Sequence, residues 1–198
     1  MRFLVWMLIH SVYRLKKEGI ELIPDEGAAI LVCNHVSWVD ALVVAAASPR
    51  PIRFVMDHRI FNIPVLNFIF RTGKAIPIAS QKENPQILEQ AYDRIAAALA
   101  VGDLVCIFPE GGLTLDGEMG EFKSGIQRIV DRTSVPVVPM ALQGLWGSFF
   151  SRRQGGGMRW PRGLFTKIGI RVGAMVPAHE VQPARLQQQV LALRGNWK

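Results

Sequence analysis

The sequence predicts a single α/β domain in which a largely parallel or mixed central sheet is flanked by helices, with a short interfacial helix at the N terminus. Three observations predict it. From residue 28 onward, short apolar runs of strand length alternate with helical stretches. The length, 198 residues with 49% hydrophobic side chains, suits one core, and folding at this size buries about 70% of the unfolded chain's surface. No internal repeat or long linker divides the chain, so residues 1–198 read as one domain.

The elements follow in order. Phe3–Ile9 (FLVWMLI) is apolar and gives way to Arg14, Lys16 and Lys17, so residues 1–17 read as one helix. It is shorter than the roughly 20 apolar residues needed to span a bilayer, and no small-x-small cleavage site marks it as a signal peptide. Two readings stand: a helix packed on its own domain, or one lying in a membrane interface with Trp6 and Tyr13 at headgroup depth. Ala28–Cys33 is a continuous apolar run, hence a buried strand, and Ser37–Ala47 an Ala-rich helix stopped by Pro49 and Pro51. Ile52–Val55 is a strand, Val65–Phe70 a short helix, and Ala75–Ile78 a strand whose Pro77 favours an edge. Pro85–Ala100 is the clearest helix, with Ile87, Leu88, Ala91, Tyr92, Ile95 and Leu99 on one face and Gly102 beyond its end. Leu104–Phe108 and Val135–Leu142 are strands around a helix at Ser124–Thr133. Phe165–Val172 alternates as a more exposed strand, and Gln182–Leu193 is the last helix.

Composition narrows the function. Net charge is +7 with a pI near 9.9, yet mean hydropathy is +0.20. Nucleic-acid binders are basic but seldom so apolar, whereas an anionic membrane surface suits both properties. Cys33 and Cys106 sit in apolar runs and read as buried thiols of a reducing compartment. The four histidines are scattered without zinc spacing, and no phosphate-binding loop is present, so neither a metal nor a bound cofactor is expected.

Two turns carry the chemistry. Directly after the Ala28–Cys33 strand comes NHVSWVD, Asn34 to Asp40, where α/β proteins place ligands at a strand end followed by a helix start. Asn34 or Ser37 caps the helix, and Asp40 stands where a carboxylate reaches the His35 imidazole, fixes its tautomer and stabilises its protonated form. That leaves the other ring nitrogen as a general base. The second turn is FPEGG, Phe108 to Gly112, at the end of the Leu104–Phe108 strand. Its paired glycines permit close approach by a ligand. If the two strands are neighbours, His35, Asp40 and Glu110 share one crevice.

NHVSWVD resembles the NHxxxxD motif of the glycerolipid acyltransferases typified by 1-acylglycerol-3-phosphate acyltransferase, and FPEGG resembles the start of that family's FPEGTRS motif. Phe122–Gly125 (FKSG) and Val135–Leu142 (VPVVPMAL) resemble the segments that follow, so the likeness runs from about residue 18 to 150. It implies transfer of a fatty acyl group from acyl-CoA or acyl carrier protein to a lysophospholipid hydroxyl in phospholipid synthesis or remodelling. His35 is then the base and Asp40 its partner, while Asn34, Ser37, Lys74, Glu110, Gly111, Gly112 and Lys123 contact substrate. The acyl thioester serves as cosubstrate, and the place of action is the cytoplasmic face of the inner membrane. Where the family motif carries arginine, this chain has Leu113, and Ser80 stands at the end of the block Gly73–Ser80. Loss of these bidentate phosphate contacts points to an acceptor with a head group larger than a phosphomonoester.

The stretch Trp146–Arg162 (WGSFFSRRQGGGMRWPR) mixes aromatics and arginines with no acidic residue. Arg152, Arg153, Arg159, Trp160 and Arg162, with Trp6, are therefore expected at the lipid surface. The competing functions are a thioesterase acting on the same thioester with water, and a non-catalytic basic module binding membrane or nucleic acid.

Overall fold

The apolar start of the chain forms helix α1 (Arg2–Val12) in the computed structural model, which describes residues 2–148, 150–151 and 165–197. The basic segment behind it departs from expectation. Residues 1–17 are not one helix: Tyr13–Glu18 is strand β1. The reason is a period of two beneath the charges. Tyr13 and Leu15 pack into the core while Arg14 and Lys16 face out, and Lys17 Nζ donates 3.3 Å to the Ala46 carbonyl. Tyr13 is therefore 2% exposed, not at headgroup depth.

The remaining strands are β2 (Ala29–Cys33), β3 (Ile52–Asp57), β4 (Ile76–Ile78), β5 (Leu104–Ile107), β6 (Val137–Gln143) and β7 (Thr166–Val172). The helices are α2 (Asp40–Ala47), α3 (His58–Phe61), α4 (Pro64–Thr72), α5 (Pro85–Ala100), α6 (Gly125–Thr133) and α7 (Pro183–Arg194). All seven strands join one sheet in the order β1-β7-β6-β2-β5-β3-β4, parallel throughout except between β6 and β7. The fold is the expected α/β arrangement with a mixed sheet.

Burial on both faces explains the continuous apolar run of β2. Leu31 and Cys33 face α1 and α2, while Ile30 and Val32 face α5, α6 and α7. Helix α5 matches its sequence signals at both ends: Asn84 Oδ1 accepts 3.0 Å from the Ile87 amide, Pro85 opens the first turn, and Gly102 takes φ 83°. β4 is an edge strand, where Pro77 is tolerated. β7 is not the exposed strand its alternation suggested. Ile168, Gly169 and Ile170 are buried, because β1 pairs along its outer side.

Candidate active site

β2 and β5 are adjacent and parallel, with Val32 opposite Ile107, so both motif turns leave the same end of the sheet side by side. α2 begins at Asp40, three residues later than expected, because the Asp40 carboxylate itself folds the turn before it. Asp40 Oδ2 accepts the Val36 amide at 2.6 Å and the Ser37 amide at 2.9 Å. The same oxygen takes His35 Nδ1 at 2.8 Å. An oxygen already accepting two amides is an acceptor for the third, so Nδ1 carries the proton and Nε2 is left with its lone pair. No described residue hydrogen-bonds to Nε2. The imidazole lies flat on Phe108, ring centroids 4.2 Å apart, which fixes its plane. Asp40 is 0% exposed, and burial raises its pKa against the opposing pull of His35 and the two amides.

Glu110 ties the two turns together. Oε1 accepts the His35 amide at 2.7 Å and Oε2 the Gly120 amide at 2.6 Å. Burial raises its pKa too, with both amides working the other way. The Thr114 amide adds a third link, donating 3.1 Å to the His35 carbonyl. Gly111 has φ 73°, and a Cβ there would stand 2.5 Å from Lys123 Nζ, so the glycine makes room for the Lys123 side chain. Gly112 faces open space. Lys123 thus lies against the FPEGG turn, its amide donating 3.0 Å to the Pro109 carbonyl. Lys74 lies elsewhere, exposed between α4 and β4.

Asn34 and Ser37 were expected at the substrate and are found sealed inside. Asn34 Nδ2 donates 3.1 Å to the Leu142 carbonyl, and its Oδ1 accepts the Leu142 amide at 2.8 Å, which clamps the end of β2 to β6. Ser37 is 0% exposed, and Val39 N donates 3.4 Å to its Oγ. Each holds the turn in shape and presents no surface to a ligand. Trp6 is exposed on α1, beside Phe3, Leu4, Met7 and Leu8. Arg152, Arg153, Arg159, Trp160 and Arg162 lie outside the described residues. Sequence reasoning passed over Trp38, which is 58% exposed three residues from His35, whereas the apolar Val36 and Val39 of the same turn are buried. Among the described residues, no cluster of three or more His, Cys, Asp or Glu gathers as for a metal.

Comparison with known proteins agrees with this geometry. A family model described as Acyltransferase matches residues 14–143. The chain is 29% identical over 137 residues to the chloroplastic 1-acyl-sn-glycerol-3-phosphate acyltransferase of Arabidopsis thaliana, across 69% of this chain and 38% of that protein. It is 25% identical over 193 residues to the 1-acyl-sn-glycerol-3-phosphate acyltransferase of Pseudomonas aeruginosa, across 94% of this chain and 69% of that one. The crystal structure of the 1-acyl-sn-glycerophosphate acyltransferase PlsC from Thermotoga maritima superimposes with TM-score 0.74 at 20% identity, covering 100% of this chain and 78% of that one, which establishes the shared fold. The chain spans about two fifths of the length of the plant relatives it matches. With the family model running from β1 to the end of β6, the chain belongs to the Acyltransferase family.

Proposed function

We propose that this chain transfers a fatty acyl group from acyl-CoA or acyl carrier protein to the free hydroxyl of a lysophospholipid at a membrane surface. The observation that carries the reading is the His35–Asp40 pair: a buried carboxylate on Nδ1 and a free Nε2 at the mouth of the FPEGG turn. In this mechanism Nε2 takes the proton of the acceptor hydroxyl as its oxygen attacks the thioester carbonyl. Asp40 stabilises the imidazolium so formed. The tetrahedral intermediate collapses with cleavage of the C–S bond, and the imidazolium returns the proton to the departing thiolate. Lys123, over Gly111, meets the anionic head group of the acceptor. Ser37 is not a nucleophile in this scheme.

The relatives' names point to lysophosphatidate as acceptor. Leu113, in place of the motif's arginine, favours a lysophospholipid with a larger head group, and we adopt that reading. The exposed apolar face of α1 and the exposed Trp38 support a site that draws its acceptor from a bilayer. We place that bilayer at the cytoplasmic face of the inner membrane.

The test is thiol release from a ladder of acyl-CoAs and acyl carrier proteins, with a panel of lysolipids. Release that requires lysolipid and vanishes in His35→Ala, while Ser37→Ala retains substantial activity, supports the mechanism. Release without lysolipid means a thioesterase, and no release at all means a binding module. Faster turnover of lysophosphatidate than of lysophosphatidylethanolamine would overturn the preferred acceptor.

A further inference from the structure

The two oxygens of Asp40 are treated unequally. Oδ2 accepts three hydrogen bonds, whereas Oδ1 is sealed from solvent and meets no donor among the described residues. Folded proteins rarely leave such an atom unmatched. Among the other sealed side-chain oxygens in the same condition are the Tyr13 hydroxyl and Ser148 Oγ. They belong to one neighbourhood. Tyr13 packs in the same apolar cluster as Val36, Val39 and Val43, which surround Asp40 along the turn and α2. Ser148 Oγ stands beside the phenol without a well-formed hydrogen bond, and the Asp40 charge reaches the phenol as well.

We propose that Tyr13 is a positioning residue for the His35–Asp40 pair: its buried hydroxyl, together with Ser148, supplies the hydrogen bonding on the Oδ1 side of Asp40. The inference rests on the acyltransferase reading of that pair. A buried water bridging the three groups would complete the link, since such a water takes about two to four polar partners. The phenol is suited to donate. Burial raises its pKa most, Ser148 opposes this by less, and the Asp40 charge adds a smaller rise, so the phenol keeps its proton across the working pH range. A carboxylate bonded on both oxygens holds its charge and its rotamer, and through Oδ2 it holds the imidazole. The other titratable groups that sense Asp40 are His35 and Glu110 in the turns, Cys33 on β2 and Cys106 on β5. None of them supplies a donor to Oδ1.

The experiment compares Tyr13→Phe and Ser148→Ala with the parent chain by Asp40 carboxyl ¹³C titration and by steady-state acyl transfer. Loss of a donor to the anion raises the pH at which Asp40 takes up its proton, by about one pH unit in Tyr13→Phe and less in Ser148→Ala. kcat falls about tenfold with KM for the lysolipid little changed, and the acid limb of the rate profile moves upward. Should Tyr13→Phe not fold, Ser148→Ala carries the same measurement. An Asp40 titration unchanged in every variant that folds would overturn the proposal, even with kcat reduced, because that pattern belongs to packing alone. If the parent chain transfers no acyl group, the acyltransferase reading fails, while the titration still decides the link from Tyr13 to Asp40.

Discussion

Replacing Glu110 with Gln separates two roles for this residue that geometry distinguishes sharply. Both carboxylate oxygens are spent on backbone amides, at 2.7 Å to His35 and 2.6 Å to Gly120, so the side chain braces one motif turn against the other. Gln offers one oxygen. It keeps one amide and turns its own N–H₂ against the other, so one charge-assisted bond is lost and a donor faces a donor. A hydrogen bond to a charged group contributes about 1.5–3 kcal/mol net. If the whole loss appears at the transition state, kcat falls about tenfold to a hundredfold. If it appears in folding, a chain of this size melts about 5–10 °C lower. Steady-state acyl transfer and calorimetry on the same preparation measure both shares. The expected result is lower kcat, a modestly lower Tm and an almost unchanged KM for the lysolipid. A raised KM with kcat and Tm unchanged would refute the brace and make Glu110 a substrate contact.

Asp40→Asn keeps the size of the side chain but removes the charge that stabilises the imidazolium, and kcat should fall about a thousandfold or more with the fold retained by circular dichroism. Acidification should stop the reaction before it unfolds the protein. Burial raises the pKa of Asp40 and of Glu110, so the folded chain takes up these protons at a pH where the unfolded chain does not, and their contribution to stability grows as pH falls. Asp57, held low by its bond to Arg59, starts to lose its stabilising effect only below the ordinary carboxylate pKa. Rate and Tm falling together from neutrality would contradict this. Gly117→Ala should destabilise the loop after FPEGG, because φ is 84° and a Cβ would stand 2.6 Å from the Trp146 indole. The left-handed backbone alone costs about 1–2 kcal/mol, read as a lower Tm. Leu4→Ser with Leu8→Ser should weaken vesicle binding about a hundredfold at unchanged Tm, since both side chains are exposed on α1. Equal binding by parent and variant would remove α1 from the membrane face.

What could be seen in the sequence was what the chain keeps local. His35 and Asp40 are five residues apart, and a helix start places them together almost without regard to the rest of the fold. The apolar runs of β2, β5 and β6 announced themselves because both faces of these central strands are buried. Asn34 and Glu110 stood out in the sequence as site residues, but their bracing roles did not, because their partners are distant in the chain. Asn34 finds its partner Leu142 only when β6 docks beside β2, and Glu110 finds the His35 amide only when β5 docks on the other side. Periodicity contains no such register. β1 was hidden for a different reason: its alternation is carried by a tyrosine, a leucine and the stem of a lysine, with cations between them, so charge masked the period of two.

Strand β1 changes the meaning of the N terminus. A helix ending in lysines suggests an anchor that could be cut away without loss to the domain. The structure instead runs α1 straight into β1, whose first residue, Tyr13, is among the most deeply buried of the large side chains. β1 covers β7 and in doing so buries Ile168 and Ile170. Removing residues 1–15 would therefore strip half of an edge strand and expose the next one, and lost vesicle binding in such a truncation would reflect unfolding as readily as a missing anchor. Only surface substitutions on α1 separate the two. The outward side chains Phe3, Leu4, Met7 and Leu8 can be made polar while Ile9 stays in place at 2% exposure, so the helix remains docked on α2 with its apolar face erased. A chain so altered that still melts as the parent does but no longer sediments with anionic vesicles would tie the basic, apolar composition to the bilayer through this one helix.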